Sequence, residues 1–331
     1  MEFEQLLEKA QQVYRENFPL ETWFERALFF SWSCSIKDCT FCYMSTQDKK
    51  NQNEDDKAVR SKESLYAEAI LCKHLNWKIG FLSGGINAYS FMDLKEILRV
   101  IDDIVGEKIY VNAGAIPKSF LEKYKPYIRG VVGSIETVDE ELHEKVCPSK
   151  PMGPYIRMFK QNKELGLENA MTLILGLGET KDDFEKLKVF IEENSIRKIH
   201  MYALNPVEGT EFEGADSPSP EYQAWWIAKT RIAFPKIDIQ MGVWKDKLDR
   251  IPLLLKAGAN SISKFPATRY FGRPIAKKME VEAEKSDRKF LGSMTELPDV
   301  DWDAEVDSLN VDDETREVVR KKLKQYLKKM R

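Results

Sequence analysis

Apolar runs too short for helices recur through the middle of the chain, each followed by a loop and a stretch of helical periodicity. The runs fall at residues 28–33, 78–83, 109–113, 130–135, 169–176, 198–204, 238–243 and 260–265. Both faces of these runs read as apolar, the pattern of parallel strands covered on both sides. Between them lie the helix-period stretches 62–74, 90–104, 117–125, 155–165, 181–193, 220–234 and 245–257. Eight strands alternating with helices predict an α/β fold, a (β/α)8 TIM-type barrel. A doubly wound open sheet is the alternative, but no strand leads into a GxGxxG or Walker loop. In a barrel, chemistry gathers at the C-terminal ends of the strands.

The flanks read differently. MEFEQLLEKAQQVYREN is a charged amphipathic helix rather than a signal peptide, which needs an uninterrupted apolar region. Residues 280–314 are acidic, include Pro298 and Trp302, and show few regular patterns. The following VDDETREVVRKKLKQYLKKM has acids at its start and bases at its end, matching a helix macrodipole. The expected organisation is a barrel over residues 1–270 and a C-terminal helical extension over 271–331, packed on its outside.

Composition narrows the classes. A chain of 331 residues, 43% of them hydrophobic, is ample for a large core. Its net charge of −3 gives no basic footprint for nucleic acid. No stretch approaches the roughly 20 apolar residues of a membrane span. A soluble cytoplasmic protein is the expectation. Five cysteines, three of them close together, make no disulfide framework and point to metal.

Those three are Cys34, Cys39 and Cys42 in FFSWSCSIKDCTFCYMSTQ, spaced C-x4-C-x2-C directly after the first strand. Three thiolates from one loop can hold a [4Fe–4S] cluster and leave one iron open to a substrate or cosubstrate. Zinc usually takes four ligands in paired knuckles, and no second knuckle or His pair exists. A plant-type [2Fe–2S] ferredoxin loop also runs C-x4-C-x2-C, with Cys72 as the one later candidate. Cys72, however, stands at helical spacing with Leu65 and Ala69 and reads as a core thiol. Phe41, Tyr43 and Met44 add bulky groups suited to covering a ligand.

With Phe41 before its last cysteine, the loop resembles the radical S-adenosylmethionine (SAM) superfamily, in the branch around biotin synthase and the hydrogenase maturases. The usual spacing there is C-x3-C-x2-C, one residue shorter. The resemblance runs from about residue 22 to 268 and implies a [4Fe–4S] cluster on Cys34, Cys39 and Cys42, with SAM as cosubstrate. It implies that the backbone of Ser83, Gly84 and Gly85 receives the SAM amino group. Glu136, in GSIET, would accept from the SAM ribose, and Arg157 would pair with the SAM carboxylate. Gly176 and Leu177, in GLGET, would hold the adenosine, with Phe41, Tyr202 and Asn205 as further contacts. The implied chemistry is reductive cleavage of SAM to a 5′-deoxyadenosyl radical, which abstracts hydrogen from a small-molecule substrate. An electron donor such as ferredoxin or flavodoxin is then required.

The words around the cysteines, SW-x-C and CYMSTQ, look most like HmdB, the maturase family of the [Fe]-hydrogenase iron–guanylylpyridinol cofactor. That family carries C-x5-C-x2-C. Biotin- or lipoyl-synthase-like sulfur insertion needs a second cluster. Only Cys72 and Cys147 remain, so a partner would have to supply the sulfur. A non-enzymatic [2Fe–2S] electron carrier stays as the other class. Strand-end candidates for substrate contact are Asn112, His200, Tyr202, Asn205, Lys264 and Arg269. His74 and His143 read as ordinary helix residues, Cys147 as a loop thiol, and Trp225, Trp226 and Trp244 as packing.

Overall fold

The computed structural model describes residues 2–49 and 58–331. Its strands in chain order are β1 (Glu21–Trp23), β2 (Glu25–Ser31), β3 (Lys78–Gly84), β4 (Ile109–Asn112) and β5 (Ile128–Glu136). They continue as β6 (Glu168–Leu175), β7 (Ile196–Ala203), β8 (Asp238–Gly242), β9 (Ser261–Ser263) and β10 (Lys289–Leu291). Strands β2 to β9 form one parallel sheet in sequence order. A single parallel bridge between Phe24 and Ile262 brings its two edges together, so the barrel is nearly closed. All eight expected strands are present, with ends within three residues of the sequence reading.

The core lies mainly between the sheet and the surrounding helices, as the two apolar strand faces require. Inside the barrel, Phe81, Tyr110, Val132 and Ala170 form a separate apolar layer, with Ala27 against it. Toward the N-terminal ends of the strands the interior is polar. There the buried Lys198 ammonium bonds Glu25 Oε1 at 2.6 Å and Asp238 Oδ2 at 2.8 Å. Helix starts follow their capping signals: the side chains of Ser61, Ser90 and Ser219 each accept from a backbone amide three residues on. No helix among the described residues is long and apolar enough to cross a membrane.

The C-terminal segment is more regular than its sequence pattern implies. Helix Pro274–Glu284, strand β10 and helix Trp302–Asp307 lie in or overlap residues 280–314. Strand β10 pairs in parallel with β1, another element absent from the sequence reading. The two strands of three residues and the helix of six hold too few positions for a period to register. The terminal helix Asp313–Met330 lies against helix Lys62–Leu75 and buries Val319, Leu323 and Leu327. Arg60 donates to its Tyr326 hydroxyl at 2.8 Å.

Candidate active site

The ends of the barrel strands surround a cavity of ≈250 Å³, and Cys34, Cys39 and Cys42 all line it. Each of the three thiols is half-buried. Their loop is clamped from two sides at Thr40. Its amide donates to the Val146 carbonyl at 2.9 Å, and its carbonyl accepts from the Glu211 amide at 3.0 Å. The loops after β5 and β7 thus fix the loop after β2.

A third support comes from the end of β3. The Ser35 amide donates to the Ile86 carbonyl at 3.0 Å. A Cβ on Gly85 would stand 1.7 Å from the Ser33 carbonyl oxygen and 2.7 Å from Cys34 Cα. Only glycine allows the Cys34 backbone to lie there.

The thiols suit a cluster better than a single ion. Among the described residues, no three His, Cys, Asp or Glu side chains converge as the ligands of one ion do. The irons of a cubane stand apart, so it takes thiolates from a wider ring. Burial pushes the Cys42 thiol up to about 11. A hydrogen bond with Cys147, then burial, raises that of Cys39. Metal binding here must therefore release protons.

Opposite the cysteines, Glu136 closes β5 in the left-handed region, at φ 64°. For a residue with a side chain this is a strained conformation, of the kind that gathers at functional sites. Its two carboxylate oxygens accept from Lys150 Nζ at 3.0 Å and Thr172 Oγ1 at 2.8 Å. Burial alone would lower the Lys150 ammonium; Glu136 and the thiols of Cys147 and Cys39 outweigh it and hold its pKa above the usual lysine value. His143 props this pair, its ring nitrogens 2.8 Å from the Ile135 carbonyl and 2.6 Å from that of Lys150. Beside them Tyr155 lines the cavity with a buried hydroxyl that has no hydrogen-bond partner. Such an atom is satisfied when a polar ligand arrives.

The cavity unites Cys34, Cys39, Cys42, Phe41, Ser83, Gly84, Gly85, Glu136 and Tyr202 from the sequence-derived set. Four others lie outside its lining. Arg157 is exposed, and Tyr155 of the same helix takes the inward place. The Gly176 and Leu177 amides are taken by the Glu179 carboxylate, at 2.7 and 3.0 Å. Asn205 lies within 3.5 Å of Lys247 Nζ.

Of the strand-end candidates, Asn112 and Lys264 also line the cavity, whereas Arg269 is exposed outside it. His200 sits outside the lining in the barrel interior, 2.6 Å from Gln240 Oε1, and burial lowers its pKa to about 3. It is a neutral interior group.

Cys72 is fully buried in the core, away from the cavity lining, so it does not stand where the ferredoxin pattern needs its later ligand. Cys147 stands in a loop, as expected, directly after helix Glu140–Val146. It is fully buried, with Cys39 and Phe41 packed against its cluster. Lys150, Tyr155, Cys147 and the bridging role of His143 escaped the sequence reading. The one available signal was the density of polar and thiol residues in the connection after β5.

This arrangement gathers three cysteines at the mouth of a parallel α/β barrel, and comparison with known proteins gives the family. The radical SAM superfamily pattern matches residues 33–191. The chain is 36% identical to the uncharacterized protein MJ0597 of Methanocaldococcus jannaschii, covering all of this chain and 96% of that one. It is 26% identical to a biotin synthase of Methanococcus vannielii over 54% of each chain, about half the length of that relative. In fold it is similar to methylornithine synthase PylB, with TM-score 0.71 at 20% identity over 87% of this chain and 88% of that one. The [FeFe]-hydrogenase maturase HydG from Carboxydothermus hydrogenoformans gives 0.69 at 15% identity over 98% and 82%. The chain belongs to the radical SAM superfamily.

Proposed function

We propose that this protein cleaves SAM reductively at the barrel mouth and turns the resulting radical on a small-molecule substrate. One observation carries the reading: a single cavity lined by the three cysteines, the Ser83–Gly85 backbone, Glu136 and the unsatisfied Tyr155 hydroxyl. Cys34, Cys39 and Cys42 would hold a [4Fe–4S] cluster, whose contribution when bound is the electron that splits SAM into methionine and a 5′-deoxyadenosyl radical.

The rest of the work falls to the chain. Glycines at 84 and 85 let the Phe30 ring and the Ser33–Cys34 backbone pack against the end of β3, which holds the cysteine loop at the cavity. Glu136, locked by Lys150 and Thr172, presents a fixed carboxylate, and Tyr155 a free hydroxyl. Phe29, Ile36, Phe41 and Met44 wall the cavity and keep water from a reactive centre. Phe81 lines the cavity too and belongs to the apolar layer beneath it. A ferredoxin- or flavodoxin-type donor would supply the electron.

More finely, the SW-x-C and CYMSTQ words support a role in biosynthesis of the [Fe]-hydrogenase iron–guanylylpyridinol cofactor. Expression in a methanogen strain deleted for the HmdB maturase tests this. Restored [Fe]-hydrogenase activity is the expected result. Failure to restore it, where the native maturase succeeds, would assign the same radical chemistry to another substrate.

A further inference from the structure

Lys264 follows β9 at the barrel mouth and lines the same cavity as the cysteines. It is exposed to the cavity yet walled by protein, and burial lowers its pKa. Its ammonium lies 4.3 Å from the centre of the Tyr202 ring and 5.8 Å from that of Trp244. The stack has been given room. A Cβ on Gly242 would come within 2.3 Å of the Tyr202 ring and 3.1 Å of Lys264 Cγ. The Lys264 backbone is itself left-handed, at φ 68°. That conformation is strained for a residue with a side chain and persists only where the surrounding structure holds it.

What this cation lacks is a paired anion; Glu136 and Cys42 act on it only through space. Among the described residues it makes no salt bridge. Glu136 is the one carboxylate among the residues lining the cavity, and both its oxygens are engaged by Lys150 and Thr172. Aromatic faces offset part of the cost of placing an ammonium there, but they do not neutralise it. A lone ammonium backed by rings suits a monoanion. A phosphoryl group calls for several convergent donors, such as guanidinium forks or a helix N-terminus.

We infer that Lys264 is the substrate-recognition residue of this site and that the substrate is a small carboxylic acid whose carboxylate pairs with it. The inference rests on the radical SAM reading and adds the substrate's chemical class.

The test uses the full chain with its cluster reconstituted, SAM and dithionite, reading 5′-deoxyadenosine. The probes are the common amino acids and the straight-chain acids from propionic to octanoic, each beside its primary amide. At least one acid is expected to accelerate nucleoside formation where its amide does not. Lys264→Met is expected to raise the half-saturating concentration of that acid roughly 10- to 100-fold, with Lys264→Arg retaining most of the response. Iron content per chain equal to wild type in both variants shows that the cluster site is intact.

Three results overturn the inference: no acid surpassing its amide, an unchanged acid response in Lys264→Met, or lost SAM binding in Lys264→Met by equilibrium dialysis. The last would give Lys264 to the cofactor. A wild-type protein that forms no nucleoside with or without any probe contradicts instead the parent reading.

Discussion

Cys42→Ala is expected to leave the barrel folded, to lower bound iron from about four per chain to background, and to abolish 5′-deoxyadenosine formation. The fold survives because the loop does not depend on the thiol. Its turn is made by main-chain bonds, from the Cys42 amide to the Cys39 carbonyl and from the Ser45 amide to the Cys42 carbonyl, both at 3.0 Å. Thr40 remains clamped between the loops after β5 and β7. What is lost is one of only three thiolates, and two from one loop cannot hold a cubane against water. Iron analysis, circular dichroism and product assay on one sample separate these effects. Retained iron with retained product would remove Cys42 from the site.

The largest stability effect is expected away from the chemistry. Glu68, 1% exposed on helix Lys62–Leu75, pairs with Arg26 of β2 and with Arg60, whose Nη1 lies 2.7 Å from Glu68 Oε2. Arg60 also donates to the Phe29 carbonyl at 3.0 Å and to Tyr326 on the terminal helix. One carboxylate thus holds strand, helix and C-terminal extension together. Glu68→Leu strands two largely buried guanidinium groups, a change that typically costs about 3–5 kcal/mol. Thermal unfolding should fall by roughly 5–10 °C at neutral pH.

The pH dependence has a definite sign. Burial would raise the Glu68 carboxyl, but Arg26 and Arg60 outweigh it and hold its pKa below the usual carboxylate range. A depressed folded-state pKa contributes stability above the unfolded value and loses it as pH falls through the folded one. The gap in melting temperature between wild type and Glu68→Leu should therefore narrow as pH drops from 6 toward 3. A gap that stays constant would mean that packing, not charge, sets the loss.

The barrel was legible because parallel strands covered on both faces must be apolar throughout, and that pattern needs no knowledge of tertiary neighbours. The β1–β10 pair was not, since two three-residue strands far apart in sequence acquire meaning only once the chain ends meet. That Cys34, Cys39, Cys42, Ser83 and Glu136 line one cavity follows from their position at or after strand ends. Arg157 lies outside the cavity lining for a geometric reason. Two residues turn a helix by about 200°, so Tyr155 faces the cavity and Arg157 faces away. Cys147 and Lys150 were illegible because their approach to Cys39 and Glu136 depends on the path of a loop, which periodicity does not encode.

The most direct test of the account is electron paramagnetic resonance of the anaerobically reconstituted, reduced protein with and without SAM, followed by assay of the same sample for 5′-deoxyadenosine. A [4Fe–4S]⁺ signal that changes when SAM is added, together with the nucleoside, is the expected result. A [2Fe–2S] signal indifferent to SAM, with no nucleoside formed, would contradict it.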